Sequence, residues 1–419
     1  MEKSGGPPIT KLKKWEAMAK EFAEGGVIQA PVDFDNTEIA FKYKSNDELR
    51  KAVRLFGLMN QYWLVNIGAK VGMAAIKLHL PFVESVVKNT IFEQFCGGTT
   101  LLNSQKTIDR LCQQGVLSIL DYGAEAKESE EDFNFTMNEN IRAIEFAAGN
   151  PAAYAISTKI TGLARFGLLE AVHEGRELSL SEQQEFENVL KRLDAICHNA
   201  WKRAVCVFID AEESWIQNAI DQLADTMMMR YNKERIIVYN TFQMYRKDRL
   251  QFLNQSYNKA NREQYILGAK LVRGAYLEKE RDRAEDMGYP SPVHDSKEAT
   301  DDSYNAALRF CLDHHEGIAL CNASHNMESA RILANAVVQK QIQPNHPHVQ
   351  FAQLLGMSDN LTFNLADAGF QTAKYVVYGA VRDVVPYLIR RAQENTSVTG
   401  DMTRELGLVI RELKRRGLA

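Results

Sequence analysis

Apolar residues recur along the chain with two different periods, and the change between them falls near residue 110. Before it, Ala52, Leu55, Phe56, Met59 and Trp63 return at three- and four-residue steps, the spacing of one helix face, and no β-branched run of strand length intervenes. This predicts an all-helical N-terminal arm over residues 1–110 and a second domain over 111–419. The most apolar window, Leu64 to Val83, is interrupted by Lys70, Lys77 and His79, so it reads as a buried or interfacial helix and not as a membrane span. After residue 110, short apolar runs alternate with longer helical patterns. The runs are Leu117 to Leu120, Tyr154 to Ser157, Val205 to Ile209, Ile236 to Val238, Ala269 to Val272, Ile318 to Leu320, Val349 to Phe351 and Lys374 to Tyr378. Each crossover between parallel strands needs a dozen or more residues, which a helix supplies, so strict alternation implies a parallel sheet. Eight such units predict a (β/α)8, TIM-like barrel, with Glu278 to Asp295 as an inserted loop after the fifth strand.

Composition narrows the function. The chain has 419 residues, 45% hydrophobic and 25% charged, the balance of a globular protein. Fifty basic against 54 acidic side chains give a net charge of -4, which argues against a nucleic-acid partner held by phosphate neutralisation. The six cysteines form no CxxC pair, so neither a disulfide framework nor a zinc knuckle is indicated, and a reducing, cytoplasmic-type compartment is expected. The first thirty residues mix Lys11, Lys13 and Lys14 with Glu16, Glu21 and Glu24, with no secretory or transit pattern.

Chemistry in a barrel of this class sits at the C-terminal ends of its strands. Those ends carry Asp121, Lys159, Asp210, Asn240 and Gln243, Arg273 and Tyr276, then Ser324, His325 and Asn326, with Tyr375 and Tyr378 on the last strand. His346 and His348 form an HxH, but Pro344 and Pro347 place it in the loop before the seventh strand, at the opposite end, so no metal site is expected. No GxGxxG or GxxxxGK[ST] occurs. Lys270, Arg273, Ser324 and His325 are nonetheless placed to hold a phosphate-bearing cofactor, although His325 also reads as a packed or helix-capping side chain. Arg390 and Arg391, adjacent in the apolar stretch from Val384 to Glu394, lie about 100° apart on a helix. They are either a solvated turn near a helix C-terminus or two guanidinium forks presented to a carboxylate from a last helix across the barrel mouth.

Several of these segments resemble the proline dehydrogenase family in its monofunctional, eukaryote-like branch. They are Lys270-Leu271-Val272-Arg273-Gly274-Ala275-Tyr276, Ile209-Asp210-Ala211-Glu212-Glu213, Phe242-Gln243-Met244-Tyr245, Ser324-His325-Asn326, and Tyr387 through Asn395. The resemblance spans Asp121 to Asn395 and implies a distorted barrel that binds FAD non-covalently. It also implies oxidation of L-proline to Δ1-pyrroline-5-carboxylate, with hydride passing to the flavin and electrons on to a membrane quinone. By motif, Arg390 and Arg391 pair with the substrate carboxylate and Lys159 helps them. Tyr276, Tyr387 and Leu354 pack on the ring, Asp210 positions Lys159, and Asp121 to Glu125 form a loop whose Glu125 gates the site with Arg390. The flavin falls to Gln243, Lys270, Arg273, Gly274, Ala275, Ser324, His325, Asn326 and Glu394. Many bacterial bifunctional members exchange the lysine and arginine of positions 270 and 273, which swaps a point charge for a planar fork.

Tyr375 lies twelve positions before Tyr387, the spacing of the family tyrosine at the C4 edge of bound proline, where hydroxyproline-specific relatives carry serine. The alternatives are a hydroxyproline dehydrogenase on the same fold and a barrel that binds such ligands without turnover. Leu406, Val409, Ile410 and Leu413 form an apolar stripe beside Arg404, Arg411, Lys414, Arg415 and Arg416. The stripe suits either peripheral contact with an anionic membrane, on the inner membrane's matrix side in a mitochondrion, or docking on the protein itself.

Overall fold

The computed structural model describes residues 32–59, 84, 87–123, 128–397 and 401–418, with side chains at 392–397, 401 and 402 left out of the description. The window Leu64 to Val83, Trp63 and Glu125 lie outside these residues. In chain order the elements are α1 (Thr37–Phe41), α2 (Asn46–Met59), a π turn at Lys88–Phe92 leading through Glu93–Phe95 into β1 (Cys96–Gly98), α3 (Leu101–Cys112) and β2 (Leu117–Tyr122). There follow α4 (Glu130–Gly149), β3 (Ala153–Thr158), α5 (Phe166–His173), α6 (Leu180–Arg203), β4 (Cys206–Ile209), α7 (Gln217–Tyr231), β5 (Val238–Gln243), α8 (Arg249–Glu263) and β6 (Leu267–Val272). The chain ends with α9 (Leu277–Met287), α10 (Lys297–Asp313), β7 (Ile318–Ala323), α11 (Met327–Gln339), β8 (Val349–Leu354), α12 (Asp359–Asp367), β9 (Thr372–Tyr378), α13 (Val381–Ser397) and α14 (Asp401–Arg415). The eight expected strands are β2 to β9, and the fold class is (β/α)8.

The described residues divide into two compact units, one of 128–352 with 369–371, the other of 32–123, 353–368 and 372–418. In the first, β3 pairs with β4 and so on in sequence to β8, every pair parallel. These strands are buried along almost their whole length because helices cover parallel sheets on the outside and side chains fill the inside. Side-chain caps fix the helix starts. Ser129 accepts from Asp132 N, Ser179 and Glu182 form a reciprocal capping box, and Ser296 accepts from Ala299 N.

In the second unit, β9 pairs in parallel with both β1 and β2. Its core gathers Phe41, Leu49 and Phe56 of α1 and α2, Phe95, Val384 and Leu388 of α13, and Leu408, Val409 and Leu413 of α14. Of the apolar stripe of the last helix, Val409 and Leu413 lie in this core and Leu406 packs against it, while Ile410 is half-buried and not part of it, which favours the docked arrangement.

Three expectations change. The stretch before residue 110 is not all helical, since Cys96-Gly97-Gly98 is a strand. A Cβ on Gly97 would lie 2.3 Å from a Val376 methyl, so close backbone approach replaces side-chain packing and leaves no apolar alternation to read. The segment Glu278 to Asp295 is helical up to Met287, because its Glu, Lys, Arg and Ala residues are strong helix formers, and the loop is confined to residues 288–295 around Pro290 and Pro292. The fourth expected strand, Ile236 to Val238, is displaced along the chain, since β5 begins only at Val238 and runs to Gln243. Its polar residues tolerate burial because Asn240 donates to Asp221 and Thr241 to the Ile209 carbonyl.

Candidate active site

In the first unit, the strands bring two ammonium groups onto one carboxylate. Lys159 follows β3 directly, Asp210 follows β4, and Lys270 lies within β6. Asp210 accepts from Lys159 Nζ at 3.0 Å through Oδ2 and from Lys270 Nζ at 2.6 Å through Oδ1. Burial by itself would raise the Asp210 pKa, but Lys270 and then Lys159 overrule it and hold the carboxyl well below its usual range. Two ammonium groups on one carboxylate leave a net positive charge, which suits an anionic ligand. Two residues on, Glu212 accepts from the backbone N and hydroxyl of Thr161, and burial pushes its pKa up to about 7 against those bonds and Lys159.

Around this cluster lie the residues expected to hold a cofactor. Gln243 ends β5 at 2% exposure, and its buried Oε1 has no hydrogen-bond partner among the described residues. Arg273 follows β6 and is held as a planar fork, Nε to Asp301 at 2.7 Å, Nη1 to Ser324 Oγ at 2.7 Å and Nη2 to Ser329 Oγ at 2.9 Å. The Tyr304 ring lies 4.3 Å beneath its guanidinium carbon. Gly274 adopts φ +133, and a Cβ there would meet the Tyr245 ring at 2.5 Å, so this turn excludes side chains. Ala275 continues the turn and Tyr276 caps α9. Ser324 and His325 lie between β7 and α11, and Asn326 is the N-cap of α11, accepting from Ser329 N at 2.9 Å.

In the second unit, Asp121 lies in β2, Leu354 ends β8, and Tyr375 is in β9 at 6% exposure. Tyr387, Arg390 and Arg391 share two turns of α13. Arg391 is only 9% exposed, with its guanidinium carbon 5.4 Å from the Tyr387 ring one turn earlier, while Arg390 is half-buried. The solvated-turn reading therefore fails for Arg391. The backbone at Glu394 is helical, and its side chain lies outside the description.

Sequence reasoning missed Asp301 and Ser329, the partners that fix Arg273. The i,i+4 spacing of Lys297 and Asp301, which do pair, was the only available signal, and it marks many exposed helix faces. His346 and His348 precede β8, and the rings of His315, His346 and His348 pack edge to face with centroids 5.2 and 5.4 Å apart. Among the described residues no group of three His, Cys, Asp or Glu could hold a metal ion.

The sequence model of the family described as proline dehydrogenase matches residues 104–404. The chain belongs to the proline dehydrogenase family. It is 40% identical over 245 residues to "Proline dehydrogenase 1, mitochondrial" of Drosophila melanogaster, a match covering 56% of this chain and 36% of that protein. To the "Hydroxyproline dehydrogenase" of Xenopus laevis it is 31% identical, over 95% of this chain and 90% of that one. The solved structure of proline utilization A from Bdellovibrio bacteriovorus, inactivated by N-propargylglycine, matches with a TM-score of 0.68 at 18% identity. That match covers 94% of this chain and 42% of the other, and it shows the likeness of fold. The chain thus spans little more than a third of the Drosophila family member's length.

Proposed function

We propose that this chain oxidises L-proline to Δ1-pyrroline-5-carboxylate with a non-covalent FAD, electrons passing on to a membrane quinone. Family membership supports the reaction class, and the observation that carries the site is the lysine pair on Asp210. The flavin fits the first unit. Gln243 offers a buried, unused acceptor to an imide N–H, and Lys270, Arg273, Ser324 and His325 supply donors and positive charge at the strand ends. Gly274, Ala275 and Asn326 of the same unit complete the set there, and Glu394, in the second unit, is assigned by the resemblance alone. Bound flavin would supply a two-electron acceptor.

The chain's own residues bind and orient the substrate. Arg390 and Arg391 take the carboxylate through charge-assisted bonds, Lys159 adds a third cation, and Asp210 fixes the direction of Lys159. The ring packs on Tyr276, Leu354, Tyr375 and Tyr387, and the closing role of Asp121 to Glu125, with Glu125 as the partner of Arg390, is what the family resemblance implies. The C–H bond beside the ring nitrogen breaks with its electron pair leaving, the nitrogen lone pair becomes the C=N bond, and the N–H proton goes to solvent. Cations near the carboxylate disfavour the ammonium form of the substrate, which leaves that lone pair available.

A mitochondrial setting is proposed because the Drosophila relative's name places that protein there. Among the described residues no helix is long and apolar enough to cross a membrane.

The extent of the Xenopus match favours one second reading, hydroxyproline oxidation, and Tyr375 discriminates between them. A buried tyrosine ring at the C4 edge leaves no room for a 4-hydroxyl and its hydrating water, and burying that hydroxyl unpaired would cost roughly 1 to 3 kcal/mol, or about ten- to a hundredfold in kcat/KM. The test measures kcat/KM for L-proline and trans-4-hydroxy-L-proline. Wild type should prefer proline and Tyr375→Ser should narrow the gap. Preference of the wild type for hydroxyproline would reverse the assignment.

A further inference from the structure

Lys374 carries an ammonium group into the interior of the second unit. It is fully buried in the middle of β9, directly before Tyr375, and successive strand residues point to opposite faces. Its Nζ donates to the main-chain oxygen of Leu354 at 3.3 Å and to that of Met357, and pairs with Asp359 Oδ1 at 3.0 Å. A desolvated ammonium must place its protons and its charge, and both carbonyl acceptors and the paired carboxylate come from one short stretch, residues 354–359. The dependence is mutual, since without Lys374 the buried Met357 carbonyl would lose this donor, while the Leu354 carbonyl would keep Met357 N at 3.3 Å.

The turn is strained and tied from several sides. Ser358 adopts φ +50, a region that side chains seldom visit. Leu355 N donates to the Tyr375 carbonyl at 3.1 Å, which ties the backbone next to Leu354 to that of Tyr375. Ser358 N donates to Glu405 of α14 at 2.8 Å. Asp359 in turn takes Lys44 at 2.9 Å and the Tyr43 hydroxyl at 2.7 Å, both from the connection between α1 and α2. Burial alone would neutralise Asp359, but Lys44 and Lys374 overrule it and keep the carboxylate ionised. Helices from both ends of the sequence thus converge on one buried node that holds the turn carrying Leu354.

We propose that Lys374 and Asp359 are positioning residues for substrate selection, setting Leu354 and Tyr375 against the substrate ring, with Tyr43 and Lys44 bracing the node from the N-terminal segment. This rests on the proposed roles of Leu354 and Tyr375 at the ring. It gives the N-terminal helices a part in recognition although they supply no group to the substrate.

The test uses the flavin-loaded full chain as wild type, Lys374→Met, Asp359→Asn and Lys44→Met, with flavin content and melting temperature recorded beside kcat and KM. Lys374→Met should raise KM for L-proline about tenfold and narrow the preference over trans-4-hydroxy-L-proline by a similar factor, with kcat per bound flavin within about threefold of wild type. Lys44→Met leaves Lys374 in place and should shift both in the same direction by less. If Lys374→Met does not fold, the other two variants carry the same expectation. Variants that melt earlier but keep wild-type KM and selectivity in their flavin-loaded fraction would show a merely structural node and overturn the proposal. A wild type inert to L-proline would instead overturn the functional reading beneath it.

Discussion

Arg391 stands in an apolar helix at 9% exposure, where a guanidinium needs polar or anionic partners. Its proposed anion is the substrate carboxylate. Arg391→Met keeps much of the length and removes the fork, so it should lose roughly 1.5 to 3 kcal/mol, about ten- to a hundredfold in KM for proline, with a smaller change in kcat. Steady-state kinetics checks this, and an unchanged KM would return Arg391 to a packing role. At this scale much of the site was legible, because Lys159, Asp210, Gln243, Arg273 and Ser324 follow or end strands whose apolar runs stand out. The partners were not legible. Asp301, Ser329 and Asp359 lie in helices whose other acidic residues are ordinary surface charges, and only the folded chain shows which of them face a buried cation.

The turn after β6 shows how an element fixes a functional side chain. Arg273, Gly274, Ala275 and Tyr276 connect strand to helix within four residues, and the backbone at Gly274 turns through φ +133 against the Tyr245 ring. Gly274→Ala should cost roughly 2–4 kcal/mol from strain and overlap, read as a lower melting temperature, with weakened flavin retention because both flanking side chains are displaced. A variant with wild-type melting and flavin content would show that the turn relaxes freely. Elements with strong periodicity, such as α11 over Met327–Gln339, were readable to their ends. β1 was hidden because its glycines bury no side chain, and α9 was hidden because nearby prolines and glycine suggested a loop while the charged residues before them favoured helix.

For the whole molecule, the last helix separates two accounts of the C-terminus. An amphipathic stripe beside basic residues looks the same in sequence whether it meets lipid or its own protein, and packing decides it. Leu408, Val409 and Leu413 lie in the core of the second unit, and Glu405 reaches Ser358. Removing residues after Thr403 exposes that core, at roughly 1.5–3 kcal/mol for each large side chain lost, so the truncated chain should melt earlier or aggregate. A truncated chain with wild-type melting that has merely lost vesicle binding would restore the membrane account. The central claim is that this chain removes an electron pair from L-proline. Its most direct test is anaerobic addition of L-proline to the purified protein in a spectrophotometer: the oxidised flavin bands should bleach with a stoichiometric appearance of Δ1-pyrroline-5-carboxylate, whereas a colourless preparation, or a flavin spectrum that proline leaves unchanged, would contradict it.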